Sequence, residues 1–310
     1  MYQIRCVKVQ EVNEALSLLF CPGGSSGSDS CEVEAKVKAF RAIALQEKYD
    51  LSRHIVVLRG DKMVFSCLSV PNEGRIAFVY SSAPDPADSQ LDEYAVEALQ
   101  QLCQWTISCD SNLIEALLET EDDLRKKIFL HCGFKELTDL LYLSRADSLP
   151  VQQLNSPENI RWLDYNQENH NLFKDAIRQT YRDSLDCPEL ENLRDMEDVV
   201  RSHKAAGSFD SHRWKLLLYQ DEPCGVLLLS LLPDSNSMEL VYMGLTPSVR
   251  GRGWGQLLLQ KAVECSRQSG VSYLMLAVDC RNHIARQLYK QFGFIEFLRR
   301  TVLLYSDPDQ

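Results

Sequence analysis

The 310 residues predict an α/β (α+β) protein built from two tandem copies of one unit. Three observations carry this reading. The first half closes "IFLHCGFKELTDLLYLS" and the second "LYKQFGFIEFLRRTVLLY", each a helix, a Gly-Phe pair and a terminal apolar strand. Gly133-Phe134 and Gly293-Phe294 are 160 residues apart. That offset, carried upstream, lays "LIEALLETEDDLRKKIFLHCGF" over "YLMLAVDCRNHIARQLYKQFGF" without a gap. Self-similarity at a fixed offset marks a structural unit used twice.

The elements follow in order. "HIVVLRGDKMVFSCLSV" and "WKLLLYQDEPCGVLLLSLL" read as hairpins, with turns at Gly60-Asp61 and at Asp221-Glu222-Pro223. "GRIAFVY" and "MELVYMGL" are the next strands. "LDEYAVEALQQLCQWTIS" and "GWGQLLLQKAVECSRQSG" carry apolar residues at helical spacing. Short apolar strands at Leu113–Leu118 and Tyr273–Val278 each lead into a helix of about ten residues. The aperiodic "ADSLPVQQLNSPE", with two prolines, reads as a linker and gives domains 1–147 and 159–310 joined by 148–158. "CPGGSSGSDSC" (Cys21–Cys31) reads as a flexible loop.

Composition narrows the function. A formal charge of −11 disfavours nucleic acid and anionic membranes as partners. Residues 1–150 hold 15 Lys/Arg against 23 Asp/Glu, and residues 151–310 hold 18 against 21, so the excess acid lies mostly in the first half. Eleven cysteines without a CxxC pair read as reduced thiols, and six histidines show no metal spacing. The N-terminal segment is interrupted by charges and is not a secretory signal. The longest apolar run, "GVLLLSLL", is too short to span a bilayer. A cytoplasmic protein without metal is expected, monomer or homodimer.

Chemistry concentrates at "GLTPSVRGRGWGQLLLQKAV". A strand ends, glycines turn the chain, and a helix starts near Trp254. Free N–H groups and the positive end of the helix dipole then meet at one point, with Arg250 and Arg252 adding charge. Such a cradle suits a pyrophosphate. The turn is not a P-loop, since no Lys-Ser/Thr follows, and its spacing is not the dinucleotide fingerprint.

Arg250, Gly253 and Gly255 match the [Q/R]-x-x-G-x-[G/A] signature, and "NHIARQLYKQFGF" matches the second cofactor segment, of the GNAT superfamily of acetyl-CoA-dependent N-acetyltransferases. The chain resembles this superfamily over roughly residues 160–305. The resemblance implies two tandem GNAT-like domains, each a mixed, mostly antiparallel sheet flanked by helices, a layout similar to that of mycothiol synthase. Acetyl-CoA is the implied co-substrate. Its pyrophosphate would rest on main-chain N–H groups from Arg252 to Gln256, with Arg250, Gly251, Gly253, Trp254 and Gly255 forming the cradle. Met243 and Leu245 would pair with pantetheine as though it were an added strand, and Asn282 would contact the same arm.

Tyr289 would protonate the departing thiolate; read otherwise, it is a core aromatic beside Leu288. Glu239, 11 residues before Arg250, would be the base, and period-2 alternation puts Glu239, Val241 and Met243 on one face. Tyr242 is a pocket-lining alternative. His283, at a helix start, reads as a capping or surface residue. Thr180–His203 falls where the superfamily varies its acceptor-binding segment; with seven acids from Asp183 to Asp198, it offers Asp183 and Asp186 to a cationic small-molecule or peptide amine, or is a solvated helix face. Cys187 has no adjacent base and is no nucleophile.

At the 160 offset, Gly253 is matched by Glu93, Asn282 by Asp122 and Tyr289 by Phe129, and Asp85, Asp88 and Asp92 crowd the turn. The first copy therefore reads as a degenerate domain without the usual cofactor site. The overall expectation is an N-acetyltransferase working by direct attack in a ternary complex. The alternative is a non-catalytic CoA-binding or scaffold module.

Overall fold

In the computed structural model, which describes residues 1–21, 30–150, 157–191 and 193–306, the chain separates into two units, Met1–Leu137 with Arg300–Gln310 and Thr138–Arg299. Most of Cys21–Cys31, and 151–156 of the expected linker, lie outside the described residues.

The first unit runs β1 (Tyr2–Cys6), α1 (Val12–Phe20), α2 (Ser30–Gln46), β2 (His54–Arg59), β3 (Lys62–Asn72), β4 (Ile76–Ser81), α3 (Ser89–Ser108), β5 (Leu113–Leu118) and α4 (Asp123–Cys132). Its strands lie in chain order from β1 to β5. The sixth strand is the end of β12 (Ile295–Ser306), whose Thr301–Ser306 run antiparallel to β5. The second unit begins within β6 (Lys135–Ala146) and continues β7 (Ile160–Asp164), α5 (His170–Tyr181), α6 (Met196–Ala205), β8 (Trp214–Tyr219), β9 (Glu222–Leu232), β10 (Ser237–Leu245), α7 (Gly255–Gln268), β11 (Tyr273–Asp279) and α8 (His283–Gln291). Its order is β7-β8-β9-β10-β11-β6. Among the described residues, only β4–β5 and β10–β11 pair in parallel; the other pairings within each unit are antiparallel.

The expected boundary at 148–158 leaves each half its own closing strand. The compact units divide otherwise. The strand beside β5 comes from the end of the chain, and the strand beside β11 comes from the first half. A terminal apolar strand does not encode which edge it joins.

The second unit has three layers. The centre of β9, Val226–Leu229, is an unbroken apolar run because both faces are covered. Leu227 and Leu229 pack with α7 and α8, while Val226 and Leu228 pack with α5 and α6. The α7 stripe Leu258, Leu259, Ala262 and Val263 is fully buried, as is the α5 stripe Phe173, Ala176 and Ile177.

A bulge in β10 corrects one expectation. Leu240 pairs with Leu229 and Tyr242 with Leu228, so Val241 is an extra residue. Beyond it the faces invert. Met243 packs on the α7/α8 side while Val241 and Tyr242 pack on the α5/α6 side. Strand alternation puts Glu239 on the Tyr242 side, so Glu239, Val241 and Met243 do not share a face.

A fragment 159–310 lacks the strand beside β11 and leaves a long apolar edge unpaired. It is expected to be less soluble, and to unfold at lower denaturant, than a fragment 135–310. Equal urea midpoints for the two fragments would count against this division of the sheet.

Candidate active site

β10 and β11 pair only over Ser237–Glu239 and Tyr273–Met275. β10 then continues along β9 to Leu245, and β11 along β6 to Asp279. The gap between them holds a cavity of about 270 Å³. One wall is Leu240–Leu245, the other Ala277 and Val278; α7 and α8 close one side, and Asp183–Asp186 the other.

The main chain of β10 is polarised toward this gap. The Thr246 N–H donates to the Cys224 carbonyl (2.9 Å). Antiparallel ladders alternate, so Gly244 and Tyr242 also face β9, and Met243 and Leu245 turn their N–H and C=O groups into the cleft. Gly244 is required by space: a Cβ there would stand 2.6 Å from the Tyr242 hydroxyl and 2.8 Å from the Thr180 Cβ.

Arg250 does something the sequence does not reveal. Its guanidinium donates to three main-chain carbonyls, Leu245 (3.0 Å), Asp183 (2.9 Å) and Thr180 (2.9 Å). It ties the end of α5 to the end of β10 and is not a free cation. The exposed Arg252 lies 5.7 Å from the Trp254 ring. Gly251 and Gly253 adopt φ of +77° and +79°, the left-handed region where side chains cost about 1–2 kcal/mol. No atom crowds either position, so conformation and not space selects glycine there. Gly255 is the reverse case, since a Cβ would stand 3.2 Å from Leu288. Among the described residues, the N–H groups of Gly251, Arg252, Gly253 and Trp254 have no acceptor. The Gln256 N–H already donates to Gly253 (3.1 Å), which leaves Gln256 outside that set.

Tyr289, on α8, is 7% exposed, lines the cavity and packs 5.6 Å from the Phe294 ring. Burial, helped by the charge of Asp186, pushes its phenol well above the ordinary value, so it stays protonated. Asn282 lines the cavity and caps α8, its Oδ1 accepting from the Ala285 N–H (3.1 Å). Glu239 is half-buried, with its carboxyl raised by burial, and does not line the cavity. Tyr242 does, and its hydroxyl meets Thr180 Oγ1 at 2.8 Å. His203 stacks on Tyr242 at 5.5 Å and meets the Tyr181 hydroxyl at 3.3 Å, with burial pushing the imidazole down to about 3. Among the described residues, no three His, Cys, Asp or Glu side chains are placed to hold a metal, and no helix is long and apolar enough to cross a membrane.

A clamp holds the Asp183–Asp186 segment. The Asp279 N–H donates to Asp186 Oδ1 (3.0 Å), and the Cys187 N–H donates to Asp279 Oδ2 (3.1 Å). Arg281 bridges Asp279 and Glu189, and Thr138 Oγ1 donates to Asp279 Oδ1 (2.6 Å). Sequence reasoning missed Asp279, Thr138 and His203, each of which has a partner remote in sequence.

In the first unit the corresponding strands also part after a short parallel pairing, Ile76–Phe78 with Leu113–Glu115. Glu93, matched to Gly253 by the offset, lies inside α3 and not in the turn, because α3 starts at Ser89 and is 20 residues long against 14 for α7. The residue at the helix start is Asp88, which accepts from the Leu91 N–H (3.3 Å) and pairs with Arg59 (2.8 Å). Arg125 reaches the Ser81 carbonyl at 3.4 Å. Asp122 caps α4 as Asn282 caps α8, and Phe129 is fully buried against Phe134.

The fold is that of GNAT proteins. The chain superposes on a GCN5-related N-acetyltransferase from Sphaerobacter thermophilus with a TM-score of 0.66 and 15% identity, covering 98% of this chain and 95% of that one. A tandem GNAT protein from the clavulanic acid biosynthesis pathway gives 0.51 and 11%, covering 99% and 98%. Residues 162–294 match the model of the acetyltransferase (GNAT) family. A mycothiol acetyltransferase of Beutenbergia cavernae is 37% identical over 82 residues, 26% of this chain and 28% of that protein. The aligned parts span 20–56% of the curated relatives' lengths.

Burial alone raises the Asp279 carboxyl, but hydrogen bonds from Arg281, Thr138 and the N–H groups of Arg281 and Cys187 outweigh it and bring it to about 2. A depressed carboxyl stabilises the fold above its unfolded value near 3.8, and that stability is lost as pH falls toward 2. Asp279→Asn is expected to cost ~2 kcal/mol at pH 7 and to flatten the acid limb of urea-unfolding stability between about pH 4 and 2.

Proposed function

We propose that the chain is an acetyl-CoA-dependent N-acetyltransferase with one cofactor site, in the second unit. The observation that carries this is the splayed cleft. An unpaired β10 edge at Met243 and Leu245 leads from four acceptor-free N–H groups at the start of α7 to the protonated phenol of Tyr289. The fit to acetyl-CoA is chemical. Pyrophosphate oxygens accept from N–H groups at a helix start. The amide-bearing pantetheine arm completes a strand edge. Asn282 stands beside that path, and Tyr289 would give its proton to the sulfur as the thiolate departs.

The first unit has no counterpart to this site in our reading. Asp88 supplies a carboxylate at the start of α3, where a pyrophosphate would need to lie, and Phe129 has no proton to give. A scaffold role is the weaker reading, since a cavity with an ionisable phenol at one end suits turnover better than storage. Glu239, off the cavity lining, would act on an amine only through an intervening water.

Calorimetry with CoA is expected to find one site per chain, and two equal sites would sink the assignment. Gly253→Glu, which places a side chain and a negative charge at a φ of +79°, is expected to weaken CoA binding at least ~100-fold. Tyr289→Phe is expected to lower kcat by ~100-fold or more while leaving CoA affinity within a few-fold; an unchanged kcat would remove the acid role.

A further inference from the structure

We infer that Asp186 receives the acceptor amine as an ammonium ion and takes its proton, so that the acceptor is an alkylamine cationic at neutral pH. This deepens the acetyltransferase reading and rests on it. Among the described residues, three charged side chains line the cavity, Asp183, Asp186 and Arg250. Arg250 directs its guanidinium to the carbonyls of Leu245, Asp183 and Thr180. What remains to meet a ligand is anionic.

Of the two carboxylates, Asp186 is the one held in place. Its Oδ1 accepts from the Asp279 N–H (3.0 Å), and the next residue, Cys187, returns a bond to Asp279 Oδ2 (3.1 Å). Asp183 and Cys187, on either side, sit at φ of +52° and +46°, a region costly for any side chain. The segment is held against its local preference by Arg250 at its Asp183 end and by the Asp279 clamp at the other. Protein surrounds Asp186 on most sides, yet it keeps exposed surface and lines the cavity. A proton acceptor must be within reach of the amine. Asp186 meets that requirement and Glu239, off the lining, does not.

The surroundings favour proton uptake. Burial lifts the Asp186 carboxyl; the Asp279 N–H and the Asn282 side chain pull it back, the Asp279 charge lifts it and Arg281 lowers it. The net direction is upward, which makes it a stronger base. Tyr289 of α8, Tyr242 of β10 and Tyr181 of α5 feel its charge and stay protonated, and Glu189 is paired with Arg281.

The step balances. An ammonium N–H bond breaks as the Asp186 O–H bond forms, leaving a neutral amine with a lone pair. The amine nitrogen bonds to the thioester carbonyl carbon, and the C–S bond breaks. The thiolate takes the Tyr289 proton, the nitrogen gives its surplus proton to the phenolate, and Asp186 releases its own to solvent. The sum is ammonium plus thioester giving amide, thiol and one proton.

The test uses the full chain with acetyl-CoA and four probes. Three are 1,4-diaminobutane, spermidine and tyramine, and the fourth is aniline, which is neutral at pH 7. Thiol release is followed against pH, and acetyl-CoA binding by calorimetry. Asp186→Asn keeps the oxygen that accepts from Asp279. It is expected to lower kcat/KM for the preferred alkylamine ~100-fold at pH 7 and to move the acid limb toward the amine's own pKa, with acetyl-CoA affinity unchanged within about twofold. Asp186→Glu, which keeps a carboxylate, is expected to retain a wild-type limb even where its rate is low, and Glu239→Gln to retain it as well. An acid limb unmoved in Asp186→Asn, a preference for aniline, or acetyl-CoA binding without turnover of any alkylamine would each overturn the inference. Failure of the wild-type chain to bind acetyl-CoA would instead overturn the acetyltransferase reading beneath it.

Discussion

The separation of two parallel strands after a short pairing is the constraint from which the site follows. Past Glu239, β10 turns a row of main-chain groups toward a strand that has diverged from it while keeping its other edge on β6. Unpaired N–H and C=O groups inside a protein are costly, so an open edge next to a cavity is a standing demand for a polar, strand-like ligand. The extra residue Val241 sharpens the divergence, and Gly244 lets α5 approach the strand closely enough for Arg250 to tie them. The glycine turn then places free N–H groups at the wide end of the opening. Cavity, edge and turn are consequences of one departure from regular pairing.

The first unit faces the same constraint and resolves it with its own side chains. Its parallel strands also part, but β4 ends at Ser81, and Arg125 reaches across to that residue's carbonyl. The position matched to Arg125 by the 160 offset is Ala285, which leaves room for the second cavity. Asp88 caps the helix start that the second unit leaves open. The two units thus place different side chains around the same gap.

Much of this was legible in the sequence where the signal is local. Unbroken apolar runs located β9 and β11, and the Gly-Phe pairs located the repeat because each closes a helix and opens a strand. The turn was visible because glycines and arginines have few other reasons to alternate there. Other features depend on pairing. A bulge cannot be seen in "MELVYMGL", so simple alternation put Met243 on the wrong side. The longer start of α3 cannot be seen either, which is why Glu93 was matched to a turn it does not occupy. Arg250 looked like a phosphate ligand, and its three carbonyl partners emerge only once α5 and β10 are placed. Thr138 and Asp279 lie 141 residues apart, and nothing in either neighbourhood announces the other.

The placement of β12 has a consequence for how the chain is made. Leu118, on the edge of the first unit's sheet, finds its partner at Thr301, 183 residues later in the sequence. During synthesis the first unit therefore waits with an apolar edge exposed while the whole second half is translated, a period of roughly ten seconds or more at ordinary elongation rates. Pairing over such a sequence separation is slow to nucleate, and an exposed edge invites the wrong strand. Loss of Thr301–Ser306 would damage the first unit, from which that segment is distant in sequence. A segment translated late is thus a keystone of the segment folded first.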